Sequence, residues 1–232
     1  MPVDSEGMRF LVFTDLHQNE AVIEKINRVI DRSKAEFVVC LGDVTDFGTG
    51  ADAARILGSI HSKVYAIPGN CDPLDFPQAI SSVAVDMHGR VEDVGGYRLV
   101  GLGGSNITIF HTPFELEEDD ITDGLEGNCE EGMILMTHAP SYGILDQIPS
   151  GMSVGSPAIK AIADRWHPIL ALSGHIHEAV GVVEENGTTF VNPGPAKEGR
   201  MAVIDIDGRK VSVELIGPND ERWPTPDSHS LL

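Results

Sequence analysis

Short apolar runs alternate with helical patterns in the first third of the chain. Three runs predict strands buried on both faces: 8–14, 37–41 and 63–67. Apolar residues at helical spacing over 19–33, with Asn19 as the N-cap, and over 51–58 predict two intervening helices. Because strands that alternate with helices pair in parallel, this pattern predicts an α/β core.

Beyond residue 80 the pattern changes to short strands joined by Gly-rich turns, which is typical of an antiparallel meander. These strands are predicted at 83–88, 91–94 and 97–101. Strands at 133–137 and 169–172 flank a helix over 157–166 that begins with Pro157. Four β segments follow, at 179–184, 188–192, 201–205 and 211–215. With no repeat and no linker, residues 1–232 are interpreted as a single domain with its core at about 8–216.

Two polar segments differ from this pattern. Residues Glu115–Glu131 contain nine acidic side chains and no basic one, and we interpret them as a solvated surface insertion. A metal-capturing acidic loop is the alternative, but the segment has no defined ligand spacing. The polar residues 218–232 are predicted to be a loosely held tail.

The composition excludes several classes of protein. The chain has 16 basic and 36 acidic residues and a formal charge of −20, which disfavours nucleic-acid polymers and anionic membranes as partners. Three cysteines without repeated spacing argue against a disulfide framework. The N-terminus has no apolar signal core, and no apolar run approaches the ~20 residues needed to span a bilayer. A soluble cytoplasmic protein is therefore expected.

Each predicted buried strand ends in side chains that can bind a metal ion. They are Asp15 and His17, Asp43, Asn70, His138, and the pair His175 and His177. Strand ends in an α/β sheet converge on one edge, where ligands usually bind. In extended backbone, residues two apart project to the same side, so each pair can offer two donors to one place.

These donors comprise four imidazoles, two carboxylates and one carboxamide, which are too many for a single ion that also binds water. They suit two ions that share a bridging carboxylate. Mixed nitrogen and oxygen ligands favour Mn, Fe, Zn, Ni or Co, with Mn or Fe preferred, over Mg²⁺ or Ca²⁺. Taken singly, each Asp could be a turn former and each His a surface residue. That interpretation is kept for His61, His88, His167 and His229.

The combined order Asp-x-His, Gly-Asp, Gly-Asn-x-Asp, His, Gly-His-x-His resembles that of the calcineurin-like metallophosphoesterases. The resemblance covers about residues 8–205, and 191–195 also resembles a motif of small prokaryotic members. It implies a four-layer α/β (α+β) sandwich, in which two facing mixed β-sheets are flanked by helices.

The resemblance also implies roles for the ligands. Asp15, His17 and His177 would hold one ion, Asn70, His138 and His175 the other, and Asp43 would bridge the two. In this family such ions bind the phosphoryl oxygens, generate a bridging hydroxide near neutral pH and stabilise in-line displacement.

The string Gly69-Asn70-Cys71-Asp72 departs from the family pattern, because many members have His where this chain has Cys71. A thiol cannot carry the positive charge of an imidazolium, so the leaving group must be good or be protonated elsewhere. His111 is the candidate proton donor, and Asp72 either orients nearby groups or forms a turn. Cys71 as a covalent nucleophile is disfavoured, since no Cys-x5-Arg loop surrounds it. Phosphodiesterases that resemble this sequence also carry Cys at this position.

The sequence therefore predicts a dinuclear metal-dependent phosphodiesterase that acts on small phosphate esters. A phosphomonoesterase or nucleotide phosphatase with the same metal site is one alternative. A catalytically weak metal-binding scaffold of the same fold is the other. A homo-oligomer is compatible with the β-rich C-terminal part of the chain, which could bury an edge in a second copy.

Overall fold

The computed structural model describes residues 7–224, which form strands and helices in the alternation expected from the sequence. The strands within this range are β1 (Met8–Phe13), β2 (Phe37–Cys40), β3 (Val64–Ala66), β4 (Val85–Asp86), β5 (Arg90–Val94), β6 (Tyr97–Leu102), β7 (Ser105–Asn106), β8 (Glu115–Leu116), β9 (Ile134–Thr137), β10 (Leu170–Leu172), β11 (Gly181–Glu185), β12 (Thr188–Asn192), β13 (Met201–Asp207), β14 (Lys210–Ile216) and β15 (Arg222–Pro224). The α-helices are α1 (Ile23–Ser33), α2 (Gly50–Leu57), α3 (Phe76–Ala79), α4 (Glu118–Glu126) and α5 (Pro157–Trp166). Short 3-10 turns occupy Glu20–Val22 and Ala196–Glu198.

Most of these strands assemble into two mixed sheets. The first has seven strands in the order β15-β14-β13-β1-β2-β3-β4, and the second has six in the order β11-β12-β10-β9-β6-β5. Strands β1 to β4 run parallel, whereas β13 pairs with β1 in the antiparallel sense. In the second sheet, β6, β9, β10 and β12 are parallel. Strands β7 and β8 form a separate short ribbon.

Side-chain alternation along the strands produces the layered packing. In β1, Phe10 and Val12 pack in the apolar layer between the two sheets, while Leu11 and Phe13 pack on the opposite face with α1, α2 and α3. The outer face of the second sheet packs against α4 and α5. The result is the predicted four-layer arrangement of helices, sheet, sheet and helices, which confirms the fold class.

Several expectations about local structure need correction. Residues 83–88 belong to no meander, because only Val85–Asp86 is strand and it pairs in parallel with β3 in the first sheet. Asn19 does not cap a helix, since its side-chain amide donates to the Lys197 carbonyl 2.7 Å away. The helix predicted over 19–33 therefore begins as a 3-10 turn and becomes α-helical only at Ile23.

The acidic segment is not simply a solvated insertion. It contains α4, whose Ile121 and Leu125 are buried in the core that lies against the second sheet, while Asp119 and Asp120 remain exposed. Apolar residues four apart made one face of this helix, and the dense charge concealed the pattern.

The start of the predicted tail also has structure. Arg222–Pro224 pairs with β14 as an edge strand, and residues 225–232 lie outside the described residues. Within residues 7–224, no helix has the length and apolar character required to cross a lipid bilayer.

Candidate metal centre

Parallel pairing brings the predicted ligands to one edge of the two facing sheets. Asp15, Asp43 and Asn70 follow β1, β2 and β3, which run side by side in the same direction. His138 and His175 follow the parallel pair β9 and β10 in the other sheet. The loops then join through backbone hydrogen bonds, such as that from the Asp15 N–H to the Gly42 carbonyl at 3.0 Å.

Several of these ligands occupy a backbone conformation that L-residues rarely adopt. The φ angles are 54° at Asp15, 45° at His17, 50° at Asp43 and 65° at His175. Each such residue costs of order 1 kcal/mol or more, and such strain concentrates at functional sites. The backbone conformation at these residues therefore costs stability, and it orients their side chains toward one another.

Two glycines allow the loops to approach closely. A Cβ atom at position 69 would collide with the carboxylate and backbone of Asp43, and one at position 174 would collide with Thr14 and Asp15. Glycine is therefore required at both positions because another loop occupies the space that a side chain would need.

The first group of donors consists of Asp15, His17 and His177. The two imidazole Nε2 atoms lie 3.4 Å apart, and Asp15 Oδ1 lies 3.2 Å from His177 Nε2. Asp15 Oδ2 accepts hydrogen bonds from Thr14 Oγ1 and the His175 N–H. Asp15 Oδ1, in contrast, is buried with no hydrogen-bond partner among the described residues. This carboxylate oxygen, next to the imidazole of His177, is therefore available to bind a metal ion.

The second group is centred on His138. Its Nε2 lies 2.9 Å from Asn70 Oδ1, and its Nδ1 lies 2.8 Å from the Leu41 carbonyl. A carbonyl only accepts, so Nδ1 carries a proton and Nε2 faces the other donors. The ring of His175 lies against that of His138, with centroids 5.1 Å apart.

Asp43 lies between the two groups. Its Oδ2 is 3.6 Å from Nε2 of His17 and 3.6 Å from Nε2 of His138. Its Oδ1 accepts a hydrogen bond from the Cys71 N–H, which holds the carboxylate in this orientation. One carboxylate is therefore in reach of both sets of donors.

The residues present fit transition-metal ions. Two ligands bound to one ion at about 2.0–2.2 Å lie roughly 2.8–3.6 Å apart in tetrahedral or octahedral geometry. The donor separations around Asp15, His138 and Asp43 fall in this range. Imidazole nitrogens combined with carboxylate and amide oxygens suit Mn, Fe, Co, Ni or Zn.

The electrostatics favour the metal-binding forms of the carboxylates. Burial raises the pKa of Asp15 and of Asp43, but their contacts with His177 and His138, respectively, outweigh burial and hold each pKa below its usual value. Burial, helped by the charge of His138, lowers the pKa of His175 to about 4. Both carboxylates are therefore ionised and His175 is neutral near pH 7.

His138 carries an extra proton in the absence of metal. Burial acts to lower its pKa, but the charges of Asp43 and Asp15 raise the pKa to about 9. Because a ligand nitrogen must be deprotonated, His138 would have to lose this proton to hold a metal ion.

The other predicted site residues fall in different positions. The Cys71 thiol lies within 4.8 Å of donors on His17 and Asp43, and burial together with the charge of Asp43 raises its pKa. Asp72 is completely buried. Its carboxylate accepts from the N–H groups of Gly69, Val44 and Thr45 and from the Thr45 hydroxyl, so it joins the loops after β2 and β3.

His111 is exposed, and its backbone has the left-handed conformation.

The sequence analysis missed Thr112, the neighbour of His111. Thr112 Oγ1 accepts a hydrogen bond of 3.1 Å from the Asn70 side-chain amide. Glu115 in turn accepts from the Thr112 N–H and hydroxyl. No local pattern marks a threonine 42 positions from its partner, so only the folded chain reveals this contact.

The sequence is similar to those of known proteins. Residues 8–179 match the family model described as calcineurin-like phosphoesterase. The chain is 30% identical over 219 residues to the protein MJ1162 of Methanocaldococcus jannaschii, covering 87% of this chain and 98% of that protein.

Solved structures share the fold at low sequence identity. A dimetal phosphatase from Danio rerio superposes with a TM-score of 0.64 at 13% identity, covering 94% of this chain and 98% of its own. An archaeal phosphodiesterase gives a TM-score of 0.55 at 13% identity, covering 90% of this chain and 99% of its own. At this level of identity the likeness establishes a common fold.

Proposed function

Because this chain belongs to the calcineurin-like phosphoesterase family, we propose that it hydrolyses small phosphodiesters with two transition-metal ions. Membership of this family supports the activity of a metal-dependent hydrolase. The diester preference, the two-ion centre and the choice of manganese or iron are part of the proposal. The proposed setting is the cytoplasm, and the proposed partner is a small phosphate ester.

The position of Asp43 carries this proposal. Its Oδ2 is equally far, 3.6 Å, from imidazoles of the two donor groups, as expected for a carboxylate shared by two ions. In this assignment Asp15, His17 and His177 hold one ion, and Asn70, His138 and His175 hold the other. When bound, such a pair of ions binds the phosphoryl oxygens and makes water a stronger acid and a better nucleophile.

The chain's own residues would set the charge and order of the site. The two carboxylates, Asp15 and Asp43, neutralise half of the charge of two divalent ions. The centre would therefore attract a phosphate anion even though the whole chain carries −20. The Leu41 carbonyl fixes the ring of His138, and the Cys71 N–H fixes the carboxylate of Asp43.

Cys71 supports the preference for diesters. Its thiol cannot hold the positive charge that an imidazolium would offer to a dianionic monoester. A diester carries one negative charge less, so it depends less on a cation at this position. We assign the leaving-group proton to His111, which is exposed and adjoins Thr112, the residue that contacts Asn70.

The assay compares bis(p-nitrophenyl) phosphate with p-nitrophenyl phosphate, using protein stripped of metal and then given Mn²⁺, Fe²⁺, Co²⁺, Ni²⁺ or Zn²⁺. We expect the diester to be cleaved faster with at least one metal. Asp43→Asn should abolish this activity, and His61→Ala, which changes an exposed histidine, should retain it. Absence of hydrolysis with all five metals would contradict the enzyme and favour a scaffold, and a faster monoester would contradict the diester preference.

A further inference from the structure

Several large apolar side chains are exposed on two loops that carry proposed ligands and on the loop between β7 and β8 that contacts Asn70. Phe47, Leu74, Ile109 and Phe110 are 63%, 67%, 85% and 76% exposed, respectively, and we call these four residues the apolar rim. Elsewhere, apolar side chains such as Val183 on β11 expose a smaller fraction, 37%. An apolar surface that remains exposed beside a polar centre usually has a binding role.

Two rim residues lie on neighbouring loops next to the metal centre. Phe47 follows Asp46, whose carboxylate lies 3.7 Å from His17 Nδ1. Leu74 follows Asp72, which joins the loops after β2 and β3. The start of α2, which follows the Phe47 loop, packs close to Asp75 next to Leu74, because a Cβ at position 50 would lie 3.0 Å from the Asp75 carboxylate.

The other two rim residues project from a loop attached to Asn70. Thr112 accepts from the Asn70 amide, and the Phe114 N–H donates to the Asn70 carbonyl at 3.1 Å. Phe110 is two residues from Thr112, so their Cα atoms are at most about 7.6 Å apart. The tip of the loop is therefore within the length of a small molecule from the centre.

This loop is held in place by a carboxylate. Glu115 Oε1 accepts from the hydroxyls of Thr108 and Thr112 and from the Thr112 N–H. These contacts close the loop at both ends of the segment that contains Ile109 and Phe110. The apolar tip is thus fixed beside the centre before any ligand arrives, which reduces the entropy lost on binding.

The size and surroundings of the rim indicate what it binds. Four side chains are far fewer than the roughly 20–30 residues that a stable protein interface needs on each side. The acidic start of α4 lies close to this loop in the sequence. It would repel a second copy of this chain, which has a net charge of −20, and it would also repel an anionic membrane. A single alkyl or aryl group matches the small area that four side chains offer, and it carries no charge that α4 would repel.

We propose that the apolar rim binds the organic group of the substrate, so that the preferred esters join phosphate to an apolar alkyl or aryl alcohol. This inference rests on the proposed function of the metal centre. The centre would hold the phosphoryl group, and the rim would discriminate between esters by the apolar area of their alcohol.

The test is calorimetric binding of inorganic phosphate and of methyl, butyl and octyl phosphate, monoesters of the kind that cleavage of a diester leaves as product, to the Mn²⁺-loaded protein. We expect affinity to rise at least tenfold from methyl to octyl phosphate. In the double variant Ile109→Ala/Phe110→Ala this gain should fall to about threefold or less, with phosphate affinity unchanged. Val183→Ala is the matched control and should behave like the parent, and sedimentation of all three proteins should be the same.

Each other outcome overturns the inference. An equal affinity for methyl and octyl phosphate, or a gain that survives in the double variant, removes the rim from substrate binding while the metal centre stands. A double variant that only changes sedimentation would make the tip a contact between copies. Failure of phosphate itself to bind would contradict both the proposed function and the rim, since the rim is assigned only as part of that site.

Discussion

The side-chain amide of Asn70 donates a hydrogen bond to Thr112 Oγ1 over 3.1 Å, while Asn70 Oδ1 faces His138 Nε2 at 2.9 Å. An Asn amide has an oxygen and a nitrogen of similar size, and a neighbour must determine which one faces a metal site. Thr112 is that neighbour, because its hydroxyl proton goes to Glu115 and its lone pair then receives the amide N–H.

Replacing Thr112 by Val should weaken binding at the ion assigned to Asn70, because the amide then keeps only the weak acceptor Cys71 Sγ, 3.6 Å away. We expect about a 10–100-fold loss of affinity for that ion. Thr112→Ser keeps the hydroxyl and should restore affinity to nearly the parent level. Calorimetric titration with Mn²⁺ measures this effect, and equal affinities in the Val and Ser variants would contradict the assigned role.

Asp72→Asn should destabilise the fold by about 1–3 kcal/mol, because a carboxylate that accepts four hydrogen bonds gains an amide group that donates. Chemical unfolding monitored by circular dichroism measures the loss. Asp75→Asn is the control, since Asp75 is exposed and makes no capping hydrogen bond to α3. If Asp75→Asn lost as much unfolding free energy as Asp72→Asn, the effect would not come from the four hydrogen bonds that Asp72 accepts.

Glu115 should make the stability depend on acid pH. Burial acts to raise its pKa, but hydrogen bonds from Thr108 and Thr112 outweigh it and lower the pKa from 4.5 to about 2. A carboxyl with a lowered folded-state pKa stabilises the protein above its unfolded pKa and loses that contribution as pH falls. Glu115→Gln should therefore lower the unfolding free energy at pH 7, and the difference should shrink between about pH 4.5 and pH 2. A difference that is constant over this range would refute the prediction.

His111→Ala should slow the cleavage of esters with poor leaving groups more than that of p-nitrophenyl esters, because only the former need a proton on the departing oxygen. The ratio of the two rates in parent and variant is the measurement. His167→Ala provides a control, since His167 is the residue that ends α5. Equal losses on both kinds of ester would rule out the proton-donor role.

Metal should stabilise the folded chain, and Asp43 should be required for most of the effect. An ion present at 100 times its Kd adds about 2.7 kcal/mol of stability. We expect Mn²⁺ to raise the melting temperature of the parent and EDTA to reverse the rise, while Asp43→Ala shows a much smaller shift. A full shift in Asp43→Ala would exclude this residue as a shared ligand.

The local sequence was enough to locate most of the fold. Runs such as Phe37–Cys40, apolar at every position, predict strands covered on both faces, and Pro157 marks the start of α5. The candidate ligands Asp15, Asp43 and His138 were predicted because each lies within two residues of the end of such a run. Burial periodicity and strand ends are properties of a few adjacent residues, so they can be inferred without the rest of the chain.

The tertiary structure alone decided the contacts between distant segments. It placed Val85–Asp86 beside β3 in the first sheet, and it set Thr112 against Asn70. It also gave α4 a buried face within a segment whose charge suggests solvent. These outcomes depend on which surfaces remain to be covered once the two sheets have packed. The outcome depends on packing and burial over the whole molecule, so it cannot be predicted from a short stretch of residues.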